Sequence, residues 1–163
     1  MKGLITDDLL LDSSTTGSIF CADLTKRVDR FIEEIFEVAG SPSEVAVCAL
    51  GGYGRKELCP GSDIDVLLIH DAAFDVLPVA EKIWYPLWDA GLKLGHQVGT
   101  QEEILNLAES NLETATSLLS SRAVAGDNEI VSAFAEKARE QWVERFQKYL
   151  KELGSTVEDR YTQ

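Results

Sequence analysis

The stretch Leu50–His70, LGGYGRKELCPGSDIDVLLIH, sets two adjacent glycines after one apolar run and two aspartates at the head of the next. An apolar strand gains nothing from Asp63 and Asp65, because burying a carboxylate is costly unless a partner compensates it. Residues two apart on a strand share a face, so Asp63 and Asp65 project together while Ile64 and Val66 turn the other way. Two carboxylates held side by side repel, and a shared cation relieves the repulsion. Hard divalent ions such as Mg²⁺ favour carboxylate oxygens and commonly hold substrate phosphates too. An Asp-x-Asp pair at the mouth of a strand therefore reads as a metal platform for phosphoryl or nucleotidyl transfer.

Gly51 and Gly52 suit the same chemistry. Without side chains they permit tight turning, and their backbone N–H groups can meet phosphate oxygens at short range. A β-branched residue at Gly52 is expected to tolerate neither a positive φ nor such an approach. Arg55 can pair with a phosphate in bidentate fashion, and Ser62 can bond a phosphate or fix the turn before Asp63. Taken singly, these features are ordinary: a plain turn, a solvated strand end, a surface cation. Their combination across two successive strands is what points to nucleotide chemistry.

Composition narrows the partners. At 163 residues with 45% apolar content, the chain fits one domain with a core that needs no disulfide staples. A net charge of −13 argues against a broad nucleic-acid surface, which requires clustered Lys and Arg. No apolar run approaches the roughly 20 residues that span a bilayer, so no membrane partner is expected. Met1–Asp12 has no signal-peptide pattern, and three irregularly spaced cysteines form no zinc motif, so a reduced cytoplasmic setting is expected.

Apolar spacing predicts a helix over Asp23–Val38, stopped at Gly40-Ser41-Pro42. Val45–Leu50 and Asp63–His70 read as strands, Val76–Ala90 as a helix with a kink at Pro86, and LKLGHQV (92–98) as a third strand. Thr100 with Glu103 forms a capping-box pattern for a helix to Glu109, and Asn111 caps another through Arg122. The three-to-four spacing of Ile130, Phe134, Ala138, Trp142, Phe146 and Leu150 predicts one long helix over Glu129–Leu153. His96 is expected to be a structural, hydrogen-bonded histidine and Arg122 a buried helix anchor. His70 is read as surface, and Trp84, Trp88 and Trp142 as core packing. Cys59 falls inside the phosphate loop with no neighbour in sequence that marks it as reactive.

Gly51-Gly52 followed by Asp63-Ile64-Asp65 resembles the signature of the DNA-polymerase-beta-like nucleotidyltransferases. With LWDAGLKLGH (87–96) and TATSLLSSRAVAGD (114–127), the chain more narrowly resembles the N-terminal catalytic domain of the bacterial PII-protein uridylyltransferase/uridylyl-removing enzymes. The resemblance implies an α+β fold: a small mixed sheet packed by helices and followed by a C-terminal helical segment. It divides the chain into a loose lead-in (1–22), a nucleotidyltransferase core (23–100) and a helical segment packed on it (101–163), truncated relative to the family. It implies UTP as nucleotide, Mg²⁺ (or Mn²⁺) as metal, and a tyrosine of a PII signalling protein as acceptor. Asp63 and Asp65 would hold the metal, Gly51 and Gly52 would cradle the triphosphate, and Arg55 and Ser62 would touch phosphate.

The chain departs from the family pattern in two places. Gly99 stands where the family has Arg, and the third carboxylate expected on a later strand is missing from 92–98, with Glu102 and Glu103 just beyond. The family's glycine-rich segment, metal-dependent HD hydrolase domain and two ACT domains also have no counterpart in these residues. The expectation is a nucleotide-binding chain that is a poor catalyst alone. Two other readings stay open at this point: a stand-alone nucleotidyltransferase with another acceptor, and a non-catalytic nucleotide-binding regulatory module.

Overall fold

The computed structural model describes residues 16–161, so most of the predicted lead-in lies outside the described residues. Helix α1 (Ser18–Val38) starts ahead of the predicted Asp23 because Phe20 already packs against the core that Leu24, Val28, Ile32, Ile35 and Phe36 enter. Gly40, at φ 105°, takes the left-handed turn that ends it. Strand β1 (Val45–Ala49) follows with all five residues buried, then a single helical turn α2 (Gly51–Gly54). Strand β2 (Ile64–His70), helix α3 (Leu77–Asp89) and strand β3 (Leu94–Gly99) match the predicted elements to within about two residues.

Helix α4 (Gln101–Ser110) begins at the predicted capping box: the Glu103 amide donates to Thr100 Oγ1 (3.2 Å), and Glu103 Oε2 accepts from the Thr100 amide (2.8 Å). The Thr100 amide and, second, its hydroxyl, which also donates to Glu103 Oε2 (3.0 Å), hold the Glu103 carboxyl below its ordinary range. Asn111 caps α5 (Leu112–Leu118) by accepting from the Thr114 amide. That helix stops well before Arg122, which instead opens a strand, β4 (Arg122–Ala125), paired antiparallel with β1. The long C-terminal helix is likewise two: α6 (Asn128–Glu144) and α7 (Phe146–Tyr161), broken at Arg145. Arg145 pairs with Glu109, and the Tyr149 hydroxyl donates to the Ala108 carbonyl (2.9 Å), so α7 is docked on α4 rather than continuing α6.

The sheet order is β3-β2-β1-β4, with β2 and β3 parallel and the other pairs antiparallel. It is therefore an open mixed sheet in an α+β fold. Alternation along β2 sends Ile64, Val66 and Leu68 into a core with α1 and α3, and Leu67 and Ile69 into a second core with α4–α7. Asp65 shares the face of Leu67 and Ile69 and sits at the open end of that second layer. His96 packs its ring against Trp84 and Trp88, with centroids 5.4 Å from each. Trp84 is buried as expected, whereas Trp88 is 43% exposed. No helix among the described residues is long and apolar enough to cross a membrane.

Candidate active site

Pairing of β1 with β2 runs to Ala49↔Val66, so the chain leaves β1 directly beside Asp65. The Leu50 amide donates to the Asp65 carbonyl (3.0 Å), which fastens the start of the glycine turn to the carboxylate strand. Gly51 has φ +54°, and a side chain there would begin 3.2 Å from Asp65 Oδ2. The positive φ favours glycine, and the short approach would press any side chain against the carboxylate. Gly52 differs from expectation: its φ is not positive, and the nearest atom to a side chain there would be Arg55 Nη2 at 3.9 Å. The left-handed residue of the pair is Gly51, and Gly52 faces open space under the Arg55 guanidinium.

The Arg55 Nε donates to Glu57 Oε2 (2.7 Å) and Nη1 reaches Ser120 Oγ (3.4 Å), with the side chain about half exposed. Ser62 is occupied within its own turn: its hydroxyl donates to the Cys59 carbonyl (2.9 Å) and accepts from the Cys59 amide (3.3 Å). Of its two predicted roles, turn fixation is the one these bonds perform.

Asp63 is exposed and Asp65 half-buried. Burial, then the charges of Asp63 and Glu113, push the Asp65 carboxyl above its ordinary range. The fallback carboxylates Glu102 and Glu103 lie elsewhere. Asp65 pairs in register with Gly95 and Ile69 with Gly99, so residues after Thr100 sit at the other end of β2, about 13 Å along the strand. The acidic group that acts on Asp65 from another element is Glu113, in the first turn of α5. Sequence spacing gives no hint of it, because α5 reaches the site only through the packing of the second layer.

Gly95 is also part of the site. A Cβ at Gly95 would lie 2.2 Å from Asp65 Oδ1, so the absence of a side chain there lets the carboxylate occupy its position. A glycine inside a predicted strand is the signal that marks such an approach.

Beneath the glycine turn lies a second set of contacts. Arg122 donates from both terminal nitrogens to Asp29 (2.9 and 3.0 Å), from Nε to the Gly54 carbonyl and from Nη2 to the Tyr53 carbonyl (3.3 Å each). Its guanidinium carbon stands 5.3 Å from the Tyr53 ring centroid, and the Tyr53 hydroxyl donates to Asp29 (2.7 Å). Burial and the Asp29 carboxylate raise the Tyr53 phenol well above its ordinary range. Arg122 is an anchor as expected, but from a strand, and what it anchors is the Gly51–Gly54 turn.

The donors at the site are carboxylate oxygens held in mutual repulsion, which suits a hard divalent cation. Among the described residues no group of three or more His, Cys, Asp or Glu is arranged to hold a metal ion by itself. Two protein carboxylates therefore fit such an ion only when ligand oxygens complete its shell. A cleft of about 630 Å³ lined by His70, Thr100, Lys137 and Gln141 lies at the opposite end of β2 and includes none of these groups.

No protein-family model matches the sequence. Curated relatives include the bifunctional uridylyltransferase/uridylyl-removing enzyme of Mycobacterium tuberculosis, 47% identical over 102 residues, or 61% of this chain and 13% of that protein. The enzyme of the same name from Streptomyces coelicolor is 32% identical over 93% of this chain and 19% of its own length. Among solved structures, a toxin–antitoxin crystal structure with AMP-PNP aligns with a TM-score of 0.48 at 13% identity, over 82% of this chain and 98% of that chain. The chain spans less than a fifth of the length of the curated relatives named here, and within that span it is a homologue of the bifunctional uridylyltransferase/uridylyl-removing enzymes.

Proposed function

We propose that this chain carries out metal-dependent nucleotidyl transfer, moving UMP from UTP to a tyrosine hydroxyl of a PII nitrogen-signalling protein. The observation that carries this reading is the meeting of Gly51 with Asp65 Oδ2, at 3.2 Å from a would-be side chain, on the strand that also presents Asp63. The uridylyltransferase name of the relatives supports the group transferred. A PII acceptor implies a cytoplasmic protein of nitrogen regulation.

Asp63 and Asp65 would hold Mg²⁺, or Mn²⁺ in its place. When bound, the ion neutralises phosphate charge and activates the attacking hydroxyl. Gly51 and Gly52 would cradle the triphosphate through their backbone, and the Arg55 guanidinium, which pairs with Glu57 through Nε, would pair with a phosphate oxygen. Ser62 keeps the loop between the glycines and the carboxylates in one shape.

The direct test is labelled UTP with a PII protein, ATP and 2-oxoglutarate, comparing this chain with a longer version. The 163-residue chain is expected to bind Mg–UTP but transfer at least about 100-fold more slowly, since binding and transition-state stabilisation are separate quantities. Robust turnover by the short chain refutes the weak-catalyst expectation, and absence of UTP binding to either version refutes the function.

Two substitutions probe the site. A Cβ at Gly52 would meet no protein atom closer than 3.9 Å, so Gly52→Val should change stability by no more than about 1 kcal/mol while UTP affinity falls at least tenfold. Thermal collapse in place of lost binding would assign Gly52 to the fold. Gly95→Ala forces Asp65 to rotate away and should weaken Mg²⁺-dependent UTP binding about tenfold by calorimetry, with Asp65 Oδ1 2.2 Å from the new methyl. Unchanged binding would remove Asp65 Oδ1 from the metal shell.

A further inference from the structure

The loop between α2 and β2 carries Cys59, and the first turn of α1 carries Cys21. Separated by 38 positions in sequence, their sulfurs lie 3.7 Å apart at the surface. Both backbones are already held: the Cys21 amide donates to the Gly17 carbonyl and Thr25 Oγ1 donates to the Cys21 carbonyl, while Cys59 is held at both its amide and carbonyl by Ser62. The thiols are thus in van der Waals contact without either segment having to move. A disulfide needs the sulfurs at about 2.05 Å, so oxidation has to draw a pair already in contact closer together. Metal binding does not account for the pair, since no third ligand joins it among the described residues. Desolvation and the neighbouring Cys59 raise the Cys21 thiol, but it is partly exposed, whereas Cys48 is buried in β1, where burial pushes its thiol up to about 11.

We propose that Cys21 and Cys59 form a reversible oxidation site, closing to an intramolecular disulfide that staples the loop of the candidate active site to α1. With hydrogen peroxide as oxidant, the exposed Cys59 reacts first. Its thiolate attacks one peroxide oxygen, the O–O bond breaks, hydroxide leaves, and Cys59 becomes a sulfenic acid. The Cys21 thiolate then attacks the Cys59 sulfur; the S–S bond forms, the S–O bond breaks, and hydroxide leaves, the two hydroxides taking up the protons that the two thiols released. Two thiols and one peroxide give one disulfide and two waters. A dithiol reductant restores both thiols by exchange.

The site lies outside the metal and phosphate contacts proposed above, so it stands or falls independently of them. The test is peroxide treatment of the 163-residue chain, then non-reducing proteolysis and mass spectrometry. The expected product is a cross-linked Cys21–Cys59 peptide pair lacking two hydrogens, with Cys48 alkylated only after denaturation. The oxidised protein should melt higher by about 5–10 °C, and a reductant should reverse the gain. Cys21→Ser should abolish the bridge and leave Cys59 trapped as the sulfenic acid by a dimedone probe. A sulfinic acid at Cys59 with Cys21 still freely alkylated, or a Cys59-linked dimer of two chains as the main product, would overturn the proposal.

Discussion

Replacing Asp63 and Asp65 together with Asn is expected to reduce Mg²⁺-dependent UTP binding at least about 100-fold and to leave no measurable transfer. Asn keeps the shape of the side chain but supplies no charge for the ion, and the pair is the whole set of protein carboxylates proposed to hold it. The same change should make the metal-free protein slightly more stable. Asp65 has its carboxyl raised by burial and by its neighbours Asp63 and Glu113. A folded pKa above the unfolded value means that stability is greatest while the group is protonated. That stability is lost as pH rises through the folded pKa. At neutral pH the charge is therefore a net cost, and Asn removes it. Solvent screening keeps the gain small, so the melting temperature should rise by only about 1–3 °C. Calorimetric titration with UTP and Mg²⁺ and a melting curve without metal check the two halves. Retained binding, or a fall in melting temperature, would contradict the assignment.

The largest loss of stability is expected at Arg122. Arg122→Met leaves the Asp29 carboxylate, 18% exposed, without its bidentate partner and removes the donors from the Gly54 and Tyr53 carbonyls. Removing one member of a buried pair costs about 3–5 kcal/mol, and the partial exposure here points to about 3. The melting temperature should fall by about 6–12 °C. Arg122→Lys should recover only part of this, because an ammonium cannot reproduce the paired bonds to Asp29 and the stacking over Tyr53. Asn at position 29 combined with Met at 122 should be more stable than Arg122→Met alone, since no unpaired charge remains. Equal stability of Arg122→Met and the unaltered chain would show that the network contributes nothing.

Local chemistry made the first half of the fold legible. Val45–Leu50 and Asp63–His70 are short apolar runs bounded by glycine and proline, and the two aspartates mark themselves by being costly in a strand. Strand β4 was hidden because TATSLLSSRAVAG repeats apolar residues at helical spacing and contains good helix formers. Pairing with β1 outweighs that local preference over Arg122–Ala125. The division between α6 and α7 was hidden for a related reason: the apolar spacing runs on through Arg145, and docking of Tyr149 on Ala108 decides the break. Asp29 and Arg122 lie 93 positions apart, so no window of sequence holds both. Gly95 marks itself as a glycine within a predicted strand, but only register identifies Asp65 as the group that approaches it, and Glu113 became meaningful only once helix packing let its charge act on Asp65.

The five residues of β1 have a further consequence. Every one is buried, and β1 is flanked on both edges by β2 and β4 and covered on both faces by helices. The β1 amides that bond to β2 lie between two strands and two helix layers, so detaching either edge strand does not expose them. Their deuterium uptake should therefore be governed by whole-molecule unfolding and follow denaturant with the full global slope. The edge strand β3, half-exposed along most of its length, can detach from one side alone. Exchange in Leu94–Gly99 should consequently outpace that of Val45–Ala49 under native conditions, with the two rates converging only as denaturant approaches the unfolding midpoint.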